Sequence, residues 1–281
     1  MDIYRPGPCA LICTAIVVLF LIAPLIAVVP TSFTSSSYLS MPTGEWSLRH
    51  YRTLVDDPQW GQSALLSISI GLVSSMLATL LAASFALGLW FQKPRLSAAL
   101  IGFVMLPMIV PPVVSAITLY FLLTSISKVS AVLGYDTWSG VVLAHTVMIA
   151  PFAVILMMVA LSQVDRRIEM AARGMGASLW QRISLIIVPN VRFGIISALF
   201  LCFVLSWEEI GVTLFITSVD AITLPRLVWM GLRDNVDPAV AAVSVLLITA
   251  TIIVLAGVLW GRERRSRSVL VPATIGRGPE L

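Results

Sequence analysis

The sequence predicts an all-α polytopic membrane protein with six transmembrane helices, both termini on one side, and a charged helical loop between helices 4 and 5. Three observations predict it. The 281 residues are 58% apolar and only 11% charged, and a mean hydropathy of +0.98 lies far outside the range of soluble domains. Six apolar runs reach the length of about 20 residues that a bilayer-spanning helix needs: roughly 9–29, 64–91, 98–123, 139–161, 193–217 and 240–260. Basic residues separate by side, and thirteen of the eighteen Lys and Arg flank these runs on one face of the membrane, among them Arg5, Lys93, Arg95, Arg166, Arg167, Arg173, Arg182 and Arg262. The positive-inside rule places that face, both termini and the 162–192 loop in the cytoplasm. The whole of 1–281 reads as one transmembrane domain.

Taken in order, the first run follows Arg5 and resembles a secretory signal, but its length exceeds an h-region and no small-x-small cleavage site follows, so it is read as an uncleaved anchor. The next stretch is a polar external loop in which Ser47 caps a short helix, with Trp46, Tyr51 and Trp60 at interfacial depth. QKPR makes a tight inner turn between spans two and three. Span three carries Pro107, Pro111 and Pro112, each of which removes a helix donor, so that helix kinks or breaks. Breaks of this kind suit a helix lining a pathway or a merely kinked packing helix equally. Cys9, Cys13 and Cys202 have no CxxC spacing and no histidine partners, and read as buried thiols, with no metal site.

Two places carry polar groups at membrane depth. His145 in span four is expected to bond a neighbouring helix. Glu208 and Glu209 in span five are costly in hydrocarbon unless they meet water, a cation or a partner. Trp207, Glu208 and Glu209 are therefore pathway candidates, with Trp207 offering a cation–π face; a polar helix–helix contact is the other reading. Beyond the fifth span, Pro225 to Arg233 reads as a short external helix and Asp237–Pro238 as a turn into the last span.

The stretch Asp165–Arg192 differs from all of this. Asp165 can cap a helix over Ile168–Met175, Gly176 suits its stop, and Ser178 with Gln181 has capping-box spacing for a second helix. Small side chains at Ala171, Ala172, Gly174, Gly176 and Ala177 would let another protein approach closely. A solvated basic loop and a docking knuckle are both consistent with these residues.

Ala171 and Ala172, Gly176, then Ile186, Val188 and Pro189 resemble the EAA loop of ABC importer permeases, with the glycine-to-proline spacing intact. The Glu of that pattern falls on Met170, with Glu169 one place earlier, and its Leu is Val188. SWEEIGVTLF, TLP and DPAVAAVSVLLI, together with AHTVMIAPFA, are similar to permeases of spermidine/putrescine-type importers, most strongly over 139–250. The resemblance implies a coupling helix, with Glu169, Met170, Ala171, Ala172, Gly176 and Ala177 seated in a separate ATPase subunit. It further implies a second, homologous permease subunit, two ATP-binding cassette subunits holding ATP and Mg, a periplasmic substrate-binding protein and a place in the bacterial inner membrane. The substrate it implies is a polyamine; iron, sulfate or phosphonate remain alternatives.

The chain lacks a GxxxxGK[ST] phosphate loop, so no cofactor is expected in it and ATP chemistry would come from partners. HExxH and GxSxG are absent, which excludes the familiar hydrolase motifs, and no basic–aromatic stretch points to nucleic acid. A self-contained proton-coupled transporter, with Glu208, Glu209 and His145 relaying protons, is the competing class, although no internal repeat is evident.

Overall fold

A computed structural model describes residues 7–235 and 237–269, and no strand occurs among them. Arg5 and the tail beyond 269 lie outside the described residues. The contacts divide the chain into two compact units, 58–230 and the combination of 1–57 with 231–281, where the sequence reads as one domain.

The larger unit is built on three long helices, α3 (Pro58–Gln92), α7 (Trp138–Ser162) and α10 (Val188–Glu208). α3 presents Ala78, Ala82 and Ala86 at four-residue intervals, and α7 answers with Ile149, Ala153 and Met157 at the same spacing. Positions four apart share a helix face. Ile187, Val191, Ala198 and Cys202 complete this cluster. Small residues on the shared faces bring the backbones close, which is how helices associate where hydrocarbon gives no hydrophobic drive. Gly194 shows how close: a Cβ there would collide with the Ala160 Cβ.

Toward the other end, Ile70, Ala116, Leu119, Leu123, Val141, Val212 and Ile216 form a second cluster. Large apolar side chains elsewhere on α3, such as Leu65, Met76 and Leu80, point outward, as lipid-facing residues must. The third apolar run is divided by its prolines into α4 (Ser97–Val104), α5 (Leu106–Ile109) and α6 (Pro112–Ser127). Val110 and Pro111 between the last two are extended.

In the smaller unit, α1 (Pro8–Thr31) buries none of its residues, so Cys9 and Cys13 are exposed thiols rather than buried ones. After α1, Phe33 packs on Trp46 and Tyr51. Ser47 Oγ accepts from the Arg49 amide at 3.1 Å as α2 (Arg49–Asp56) begins, and His50 is held by the Ser36 carbonyl at 3.2 Å. α12 (Leu224–Met230) belongs to the larger unit, and in the smaller one α13 (Ala239–Val269) packs against both α1 and α2. Asp237 opens it by accepting from the Ala239 amide at 2.8 Å.

Candidate functional site

Asp165 starts α8 (Arg166–Gly174) by accepting the Arg167 amide at 2.8 Å. The helix begins two residues before the expected Ile168. Gly176 follows with φ +86°, a left-handed turn that a side chain would strain. Ser178 and Gln181 then form the reciprocal capping box of α9 (Leu179–Gln181). After one turn the chain widens into a π-helix, Arg182–Ile187, before α10 begins. Helix, glycine turn and helix together make a knuckle.

The knuckle has two faces of opposite character. Inward, Glu169 is buried and ion-pairs with Arg182, the two side chains being 10% and 13% exposed; Ala172 lies buried beside it in the same helix. Outward, Met170 is 58%, Met175 83% and Trp180 75% exposed, and Ile168, Ala171 and Leu179 are exposed with them. Ala177 is half-buried and Gly176 open, with nothing within 4 Å of a Cβ built on it. Exposed apolar side chains on this face leave surface that a partner could cover. Glu169 does not reach that surface as a substitute carboxylate for Met170, because Arg182 holds it inside.

Two arginines fasten the knuckle to the end of α3. Arg166 donates to the Trp90 carbonyl at 2.7 Å, and its guanidinium lies 4.6 Å from the centroid of the Trp90 indole. Arg182, besides pairing with Glu169, stands 5.5 Å from the Phe91 ring centroid. Cation–π contacts and a charge-assisted hydrogen bond thus join α8, the π-helix and α3.

The second polar place lies at the far end of α10. The fifth run was expected to continue to 217, but the helix stops at Glu208 and resumes as α11 (Thr213–Ile216). No proline marks the break. Glu209 makes it: the residue turns extended, its Oε1 accepts the Val212 amide at 2.8 Å and its carbonyl accepts from Thr213 Oγ1 at 3.0 Å. Glu208 and Glu209 therefore differ in role. Glu208 is exposed and makes no hydrogen bond or ion pair among the described residues, whereas Glu209 is consumed by the turn. Trp207 is half-buried and stacks on Phe203, with ring centroids 6.2 Å apart.

His145 staples the break to α7. Its Nδ1 lies 2.8 Å from Ser206 Oγ, before the gap, and its Nε2 lies 3.0 Å from Thr213 Oγ1, after it. Because the Thr213 hydroxyl donates to the Glu209 carbonyl, it accepts from Nε2–H. Both ring nitrogens are engaged by hydroxyls. Among the described residues there is no cluster of three or more metal-ligating groups.

The pattern of a binding-protein-dependent transport system inner membrane component matches residues 75–265, more than half of the chain. The chain belongs to this family of ABC importer permeases. The permease is 29% identical over 254 residues to the putrescine transport system permease protein PotI of Escherichia coli K12, covering 88% of this chain and 89% of that one. It is 28% identical to the spermidine/putrescine permease protein PotC of Haemophilus influenzae, over 84% and 90% of the two chains. In fold it is similar to a bacterial ABC transporter involved in import of the acidic polysaccharide alginate, with TM-score 0.67, 14% identity and coverage of 89% and 93%. The permease is thus a multi-pass inner-membrane transport subunit rather than an enzyme.

One tie between distant loops of the permease escaped the sequence reading. Asp136 sits at φ +56° just before α7, and its carboxylate accepts the amides of Ser218, Val219, Asp220 and Ala221 at 2.7, 2.8, 3.1 and 3.1 Å. Partial burial pushes its pKa up, but the four amides outweigh this and hold it below the ordinary 3.8. Four convergent amides tie the loop after α11 to the start of α7. The available signal was an Asp one residue before the Thr137 cap of α7; its partners, more than eighty positions on, left no local trace.

Proposed function

We propose that the permease is the membrane-spanning subunit of an ATP-driven importer for a small cationic solute of the putrescine or spermidine type. In this reading it spans the inner membrane six times with both termini in the cytoplasm. The outward face of α8, Met170 and Ala171 with Met175 and Trp180, seats in a groove of a partner ATPase that holds ATP and Mg. A second permease subunit and a soluble binding protein complete the assembly. ATP binding would draw the knuckles of the two permeases together, and the Arg166–Trp90 and Glu169–Arg182 fastenings would carry the motion into α3 and α10, as rigid-body rocking requires.

The observation that carries the choice of a cation is Glu208. At 1.5 Å per residue it stands about 24 Å along α10 from Arg192, inside a hydrocarbon layer of about 30 Å. There it offers a carboxylate without a partner at the negative, carbonyl-rich end of a helix, where a cation is favoured. PotI and PotC, similar over most of their length, are by name permeases of putrescine and spermidine/putrescine systems. The proton-coupled alternative is disfavoured by His145, whose two nitrogens are both committed to hydroxyls.

Reconstitution of the permease with its partner subunits in vesicles tests the reading. Putrescine uptake should require ATP and the binding protein, survive collapse of the proton gradient, and fall in Glu208→Gln while Glu208→Asp retains it. Uptake that ignores ATP rejects the ATP-driven scheme, and unchanged uptake by Glu208→Gln rejects the cation role.

A further inference from the structure

We propose that the groove between the ends of α3, α4 and α7 binds an anionic phospholipid from the leaflet on the knuckle side of the membrane. The groove has a volume of about 610 Å³. Its apolar wall includes Trp90, Ile101 and Met158, and its polar rim includes Lys93, Ser97 and Arg166. No carboxylate lines it, since Glu169, the nearby acid of α8, is turned to Arg182.

Each rim cation is suited to an anion. Arg166 is held rigid by the Trp90 carbonyl and indole, and a guanidinium carries five N–H donors, so several remain for a phosphate. Lys93 lies one residue past the end of α3 at φ +45°, is exposed, and its ammonium makes no hydrogen bond or ion pair among the described residues. Ser97 opens α4, which has no side-chain cap at its N-terminus.

The apolar wall selects a lipid over a soluble anion. Free phosphate gains nothing from Ile101 and Met158, whereas an acyl chain covers them while its head group meets the two cations. The placement agrees: α3 ends at Gln92 and α7 at Ser162, so the groove opens where apolar helix gives way to charged loop, and Trp90 has the interfacial position aromatic rings favour. Basic pockets between helix ends at a cytoplasmic boundary hold acidic head groups on this logic. Naming the leaflet as cytoplasmic rests on the orientation proposed above.

The test uses the complete transporter in nanodiscs of mixed phosphatidylglycerol and phosphatidylcholine, followed by native mass spectrometry of retained lipid and ATP-driven uptake on the same preparations. Wild type should retain phosphatidylglycerol in preference to phosphatidylcholine. Lys93→Gln should retain about fivefold less, and Ile101→Trp, which fills the trough, should lose it with unfolding temperature unchanged. Equal retention of the two lipids, full retention by Lys93→Gln, displacement by inorganic phosphate, or lipid held only when the ATPase is stripped away would each overturn the proposal. Preferential retention without any ATP-driven uptake would leave the groove standing and count against the transport reading instead.

Discussion

Glu169 and Arg182, thirteen positions apart, pair across the glycine turn of the knuckle with about a tenth of each side chain exposed. The pair closes the loop across its glycine turn, alongside the Arg166 fastening to Trp90. Replacing one member leaves a charge with little water around it, which costs about 3 kcal/mol for buried pairs. Glu169→Ala should therefore lower the unfolding temperature and reduce coupling. Paired replacement by Gln and Met at 169 and 182 should recover much of the stability, and the comparison is read by thermal unfolding of the purified complex.

Met170 occupies the outward face where the resembled motif has a glutamate. A charge there would be buried without a partner in the proposed ATPase seat. Met170→Asp should weaken association with the ATPase subunit by tenfold or more, on the order of 1.4 kcal/mol, while Met170→Leu should be nearly neutral. Co-purification and ATPase stimulation measure it.

Gly176 needs its left-handed φ of +86°, yet space around it is open. The cost of a side chain is therefore one of backbone conformation, about 1–2 kcal/mol, larger for a β-branched residue. Gly176→Val should cut ATP-driven uptake with the protein still inserted, and Gly176→Asn should retain more. Normal uptake by Gly176→Val would count against the knuckle as the point of coupling.

Asp136 makes the loop after α11 sensitive to acid in a defined direction. Its folded pKa lies below 3.8, so its contribution is fully present above that value and is lost as pH falls through the lower, folded value. Amide exchange at 218–221 should stay slow from pH 7 down to about 4 and quicken below it. Asp136→Asn, with one acceptor oxygen in place of two, should expose the same amides at neutral pH.

Much of this was legible because caps and prolines act locally. Asp165, the Ser178–Gln181 box and Asp237 each bond an amide within three residues, and Pro111 and Pro112 cannot donate whatever surrounds them. The break after Glu208 was hidden, since span five has no proline there and its own glutamate turns the chain back on the Val212 amide. The inward turn of Glu169 was equally invisible, because only the folded glycine turn brings Arg182 to it. Cys9 and Cys13 read as buried from their apolar surroundings, yet α1 is apolar throughout and buries none of its residues. Which way a membrane helix faces is not encoded in how greasy it is.

The wide coil at Arg182–Ile187 has a consequence for lineage comparison and for engineering. A π-turn closes its hydrogen bonds five residues apart rather than four, so it holds one amino acid more than the same length of α-helix. Excising Ser184 should let the coil tighten into ordinary α-helix and stay continuous, and because the extra residue is taken up within the wide turn, the helix beyond it keeps nearly the same facing. The slack acts as a splice at which a deletion leaves Trp207 and Glu208 on their present wall, whereas the same deletion inside regular α10 would turn them by about 100°.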